Sequence, residues 1–170
     1  MSALLDVPVD ELPSVRDQNA FRPWFEARLE ILAELILERN PVAKGSRIHP
    51  GFKWGHGAKV LSVYLHNLVS YSRYFREKEA ALIEPLLCCP IDGLALARLT
   101  LVGARQDWTL IRELHSSDAY WRLQDTLAAS ARRAGVPRVW FDDNWGSRVL
   151  DAAPAQAPQS GDVDFGDGQR

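Results

Sequence analysis

Apolar residues recur at helical spacing through most of this chain, and the two-residue alternation of a half-buried strand is nearly absent. That pattern confines the fold to the all-α class. The stretch "NAFRPWFEARLEILAELILERNP" opens with Asn19 as a candidate cap and carries Trp24, Phe25, Leu29, Leu32, Leu35 and Ile36 on one broad face. It stops at Pro41, and Glu26, Glu30, Glu34 and Glu38 fall opposite as a solvated face. A second helix is predicted from about Gly57 to Phe75, with Leu61, Tyr64, Leu65 and Leu68 in phase. A third begins near Pro90, which suits a first helical turn, and runs through "IDGLALARL". A shorter fourth follows Asp107, and a fifth starts at Ser116 or Ser117 and ends at Gly135. The piece after it, "VPRVWFDDNWGSRVL", is less regular.

The two ends read differently from the middle. Residues 1–18 set acids close to prolines and are expected to form an irregular arm outside the core. Residues 151–170 are rich in Ala, Pro, Gln, Gly and Asp, with almost nothing apolar to bury, and are expected to be a disordered tail. Residues 19–150 remain as one compact helical domain, which suits a chain of 170 residues that is 46% hydrophobic. No stretch approaches the roughly 20 uninterrupted apolar residues of a membrane helix, and the acidic start lacks the basic residues of a secretory signal. A soluble, cytoplasmic protein is expected. Cys88 and Cys89 are adjacent, poorly placed for a structural disulfide, and fit a reducing compartment.

Charge is distributed unevenly. The formal net charge is -2, yet residues 1–18 and 151–170 each hold four acids and one base, so the middle is basic. Between Glu38 and Glu77 there is no acid, while Arg39, Lys44, Arg47, Lys53, Lys59, Arg73 and Arg76 fall inside, with His49, His56 and His66 among them. Such a run offers a footprint for nucleic-acid phosphate; an ordinary solvated face accounts for it equally well. Within the run, "GHGAKV" places Lys59 two residues after a Gly-His-Gly turn, at a predicted helix start. The positive end of a helix dipole disfavours an ammonium there, which singles the residue out.

"GHGAKV" resembles the Gly-x-Gly-x-Lys hairpin of the helix-hairpin-helix DNA glycosylase superfamily, the group that contains the 8-oxoguanine DNA glycosylase/lyases. In that family the glycine-rich hairpin offers backbone N–H groups to a DNA phosphate, and the lysine that opens the next helix is the nucleophile. The resemblance assigns the hairpin to Gly55 and Gly57, with His56 between them, and the nucleophile to Lys59. A second family signature, a Pro-Val-Asp-like tripeptide opening a later helix, is matched by "CPIDGLALARL" and makes Asp92 the catalytic aspartate. The interval between Lys59 and Asp92 is similar to that of the archaeal branch, as is "GVPRVWFDDNWG" to its Gly-Ile-Pro segment. The resemblance covers roughly residues 49–146 and implies a helix-hairpin-helix element.

The chemistry connects the two signatures. A bifunctional glycosylase attacks the sugar C1′ with a neutral amine to give a Schiff base that permits strand cleavage. A carboxylate in the first turn of another helix balances the positive charge developing on the sugar and orients the amine. Lys44, Arg47 and Lys53 would add phosphate contacts. Trp54, Trp140 and Trp145 are candidates for a base pocket, because aromatics stack on bases, although most tryptophans serve as core. The plainer alternative gives Lys59 a phosphate contact and Asp92 a cap. Zinc bound by His49, His56, Cys88 and Cys89 lacks the paired short spacing such sites use, so no metal and no cofactor is expected. Two functions stand: a DNA glycosylase/lyase acting on a damaged or modified base, or a noncatalytic helix-hairpin-helix nucleic-acid-binding or helical interaction protein. DNA is the expected partner, nucleoid association would follow from it, and no protein partner is indicated.

Overall fold

A computed structural model describes residues 3–39, 53–99 and 111–141, and every regular element among them is helical. The expected tail, residues 151–170, lies outside the described residues, as does the first part of the expected helix after Asp107; its described end, Ile111–Glu113, is a single 3-10 turn. Five α-helices organise the rest: α1 (Gln18–Arg39), α2 (Trp54–His66), α3 (Glu77–Ile83), α4 (Gly93–Leu99) and α5 (Ser117–Ala134). Among the described residues no helix is long and apolar enough to cross a membrane.

The long helices form because their apolar phase is unbroken and their starts are capped. In α1, Phe21, Phe25, Leu29 and Leu32 make the fully buried line, while Trp24, Leu35 and Ile36 pack against its edge. The cap is Asp17, whose Oδ1 accepts from Ala20 N at 2.9 Å, so the helix starts earlier than Asn19. Ser116 caps α5 by accepting from Ala119 N. Gly135, at φ 70, closes that helix with bonds from Val136 N to Ala131 O and from Gly135 N to Arg132 O. Phe25 joins the long helices: its ring lies 5.9 Å from Tyr120 and 5.7 Å from Trp121, and Tyr120 in turn meets Trp54 of α2 at 5.0 Å.

Three expectations need correction. The N-terminal arm carries two short 3-10 helices, Ala3–Asp6 and Leu12–Ser14, and is not peripheral, since Val7, Val9 and Leu12 are core residues. It is held there by Arg28, which pairs with Glu11 and donates to Pro8 O at 2.7 Å, and by Tyr74, whose hydroxyl donates to Asp10 at 2.7 Å. The second helix does not run to Phe75. After His66 it widens into a π-type turn, Asn67–Tyr71, and the chain then reverses at Arg73, φ 55, into the unanticipated α3. Glu26 is not on a solvated face: its Oε1 accepts from Trp121 Nε1 at 2.6 Å and from Ser117, tying α1 to α5.

A segment without regular structure, residues 87–92, links α3 to α4, and residues 87–91 of it are buried in the core. Non-helical backbone in a helical interior needs partners for its amides and carbonyls, and here side chains supply them. Gln124 of α5 accepts from Cys89 N at 3.0 Å and donates to Cys89 O at 2.7 Å. Arg138 donates to Leu86 O at 2.7 Å and Leu87 O at 2.8 Å. The segment is thereby held in place up to Asp92.

Beside it, burial pushes the Cys88 thiol up, against an opposing pull from Arg138, and pushes the Tyr120 hydroxyl up further. Both groups stay protonated in the fold after their unfolded counterparts ionise, so their contribution is complete below the unfolded values and is lost as pH rises through the folded ones. Stability should therefore decline above about pH 8.5, by about 1.4 kcal/mol per pH unit for each such group. Urea melts of Cys88→Ala should show a shallower decline between about pH 8.5 and 10, where the thiols of the unfolded chain, Cys88 among them, titrate before its tyrosines.

Candidate functional site

The start of α2 sets the geometry. Lys53 is extended (φ -91, ψ 115) and helical backbone begins at Trp54, so Gly55-His56-Gly57 is the first turn of a helix and not a hairpin turn. Its glycine amides are already committed: Gly55 N donates to Leu114 O at 3.1 Å, and Gly57 N to Lys53 O at 2.9 Å. The contact with Leu114 satisfies one of the donors that every helix start leaves open. A Cβ on Gly55 would stand 2.5 Å from Ile111 O and 2.9 Å from Leu114 Cβ. Close packing of the 111–114 segment explains this glycine without reference to a ligand.

Lys59 is consequently the sixth residue of α2, beyond the first turn over which the helix dipole acts. What distinguishes it is its partner. Lys59 Nζ lies 3.3 Å from Asp92 Oδ2, across the gap between α2 and the start of α4. Asp92 precedes α4, which begins at Gly93 and not at Pro90, and acts as its cap: Oδ1 accepts from Ala95 N at 2.8 Å and the carbonyl from Leu96 N at 2.9 Å. The two side chains are 37% and 33% exposed, so solvent and solutes reach the pair.

The other candidates separate. His56 is exposed and Lys53 half-buried at the same helix start. Trp54 is half-buried, set edge-on to Tyr120, and lines a cleft of about 280 Å³ with Glu26, Leu29, Glu30, Ala33 and Ser117. Two carboxylates in that wall make it an unfavourable place for phosphate. Trp140 is 40% exposed and donates to Glu84 at 3.1 Å. Lys44, Arg47 and Trp145 lie outside the described residues. Among the described residues no three His, Cys, Asp or Glu side chains converge as metal ligands.

Gln124 and Arg138, which hold the segment leading to Asp92, escaped the sequence reading. The available signal was a polar residue in apolar phase, since Gln124 sits between the buried Leu123 and Leu127.

Fold and site together define an all-α protein with a solvent-accessible lysine–aspartate pair bridging two helices. No family model, curated protein or solved structure matches the chain.

Asp92 has two separable roles, and substitution distinguishes them. Asn keeps a capping oxygen and loses the charge; Ala loses both. Asp92→Ala should cost about 0.5–2 kcal/mol through the cap. Asp92→Asn should cost less than about 1 kcal/mol, the scale of a solvent-accessible ion pair. Urea denaturation of the two variants checks that order.

Proposed function

We propose that Lys59 is an amine nucleophile directed at the C1′ carbon of a damaged or modified nucleotide in DNA, with Asp92 as its electrostatic and proton-transfer partner. The observation that carries this reading is the 3.3 Å approach of Lys59 Nζ to Asp92 Oδ2 at a solvent-accessible position. A pair of this exposure contributes only about 0–1 kcal/mol, so stability alone gives little reason for it. The two sequence signatures that resemble the helix-hairpin-helix glycosylases meet at this pair.

In the proposed reaction the neutral amine forms a bond to C1′ as the bond from C1′ to the base breaks. The base leaves with the electron pair and takes up a proton. Loss of the amine proton, opening of the sugar ring and formation of the Schiff base follow, and removal of a C2′ proton then expels the 3′ phosphate. Asp92 faces the positive charge that develops on the sugar, where a preorganised carboxylate is most effective. Because the Gly55 and Gly57 amides are engaged within the fold, phosphate contacts fall to side chains, with Lys53 and His56 nearest in sequence and Lys44 and Arg47 upstream. Such a protein would act in the cytoplasm, on the nucleoid.

A second reading is favoured by the packing at Gly55. If that glycine serves only the 111–114 contact, the pair is a tie between α2 and α4 in a noncatalytic nucleic-acid-binding or helical interaction protein. Two measurements separate the readings. Borohydride added to the protein with duplex DNA bearing an abasic site should leave a covalent adduct. DNA affinity should fall linearly with log salt, and joint replacement of Lys44, Arg47 and Lys53 by Gln should reduce that slope by up to about 2.7. Salt-dependent binding without an adduct supports the binding protein; no binding at low salt removes DNA altogether.

A further inference from the structure

The cleft between the end of α5 and the start of α1 contains a guanidinium that no described carboxylate faces. Its volume is about 430 Å³, and its lining includes Gln18, Pro85, Ala128, Arg132, Val136 and Arg138. Arg138 is 3% exposed. Its Nε donates to Leu87 O, and Nη2 donates to Leu86 O and to Gln18 Oε1 at 2.9 Å, with Cys88 Sγ at 3.6 Å. All of these acceptors are neutral. Among the described residues no carboxylate pairs with this guanidinium, and its hydrogen bonds to them fall on Nε and Nη2.

A buried charge without a counter-ion is costly, and guanidinium N–H groups match carboxylate and phosphate oxygens. We propose that this cleft binds a small organic oxyanion, a carboxylate or phosphate monoester on a compact apolar body, anchored by Arg138 Nη1. Arg132, exposed at the rim, supplies a second positive charge. Pro85, Ala128 and Val136 give apolar walls, which favour a molecule with an apolar body over a bare ion. The volume lies within the roughly 300–1,000 Å³ of small-molecule sites. The site is independent of Lys59 and Asp92.

Benzoate, phenyl phosphate, inorganic phosphate and the uncharged benzamide are suitable probes for calorimetry and NMR on the full chain. Benzoate or phenyl phosphate should bind saturably, at least about tenfold tighter than benzamide or inorganic phosphate, and whichever binds tighter identifies the head group. Binding should shift the Arg138 Nε–H and Gln18 side-chain amide resonances. Arg138 also secures Leu86 and Leu87, so the rim residue is the one to vary. Arg132→Glu should weaken binding about tenfold or more while the circular dichroism spectrum stays unchanged and Tm falls only by the small cost of an acid in the last turn of α5. Equal binding of benzoate and benzamide, resonance shifts confined to other residues, unchanged affinity in Arg132→Glu, or no saturation by about 10 mM would each overturn the proposal.

Discussion

Lys59→Gln is expected to abolish the borohydride-trapped adduct with abasic DNA while leaving the protein folded. The trap depends on an imine between a primary amine and C1′, and glutamine has no amine to form one. The fold should tolerate the change because the side chain is 37% exposed and its ion pair with Asp92 is worth at most about 1 kcal/mol. Binding should fall only slightly, since one cation among several is removed. Asp92→Asn makes the complementary point. It keeps the α4 cap and the lysine, so the adduct should still form, but about 10²–10⁴ more slowly, as expected when one preorganised electrostatic or proton-transfer group is lost. Equal trapping rates in Asp92→Asn and the parent protein would remove Asp92 from the chemistry and leave it as a cap.

Gly55→Ala should destabilise the protein by about 1–3 kcal/mol, and here two effects compete. Alanine is the better helix former by about 1 kcal/mol, which favours the substitution. Against this, its Cβ would meet Ile111 O at 2.5 Å, a distance that the backbone must move to relieve. Overpacking of this kind costs about 1–3 kcal/mol, and displacing the 111–114 segment also weakens the Gly55 N to Leu114 O bond, worth about 1 kcal/mol. The clash therefore outweighs the propensity. Urea melts measure the loss. A neutral or stabilising result would mean that the close approach is not maintained in solution, and would return this glycine to the phosphate-binding role suggested by its motif.

How far the sequence alone could be read depended on whether each signal was local. α1 and α5 were legible because a long apolar phase and good terminators lie within a single stretch: Phe25, Leu29 and Leu32 in one, Ser116 and Gly135 in the other. α3 was not, because it spans seven residues and buries only Ile83, too little to establish a period. Val7, Val9 and Leu12 resembled a solvated arm, since their burial depends on Arg28 and Tyr74 reaching back from distant positions. Glu26 shares its helical phase with Glu30 and Glu34, and only the approach of Ser117 and Trp121 distinguishes it.

The site divides along the same line. Lys59 and Asp92 were legible as residue types beside two predicted helix starts, and the fold brings their side chains to 3.3 Å. The Gly-His-Gly stretch is ambiguous in sequence because glycine serves both turns and close packing. What decides between these uses is the 111–114 segment, more than fifty residues downstream, which no local pattern can reveal. Gln124 and Arg138 were passed over for a related reason: their value lies in the backbone groups of residues 86–89 that they satisfy.

The central claim is that Lys59 Nζ is the reacting atom, and it is tested most directly by mapping the attachment site. After borohydride reduction of the reaction with abasic duplex DNA, the adduct is digested with protease and nuclease and sequenced by mass spectrometry. The account predicts the sugar remnant on Lys59, within the peptide that contains "GHGAKV". A remnant on Lys53, Lys44 or the N-terminal amine, or an intact protein that binds the DNA and carries no remnant, would contradict it.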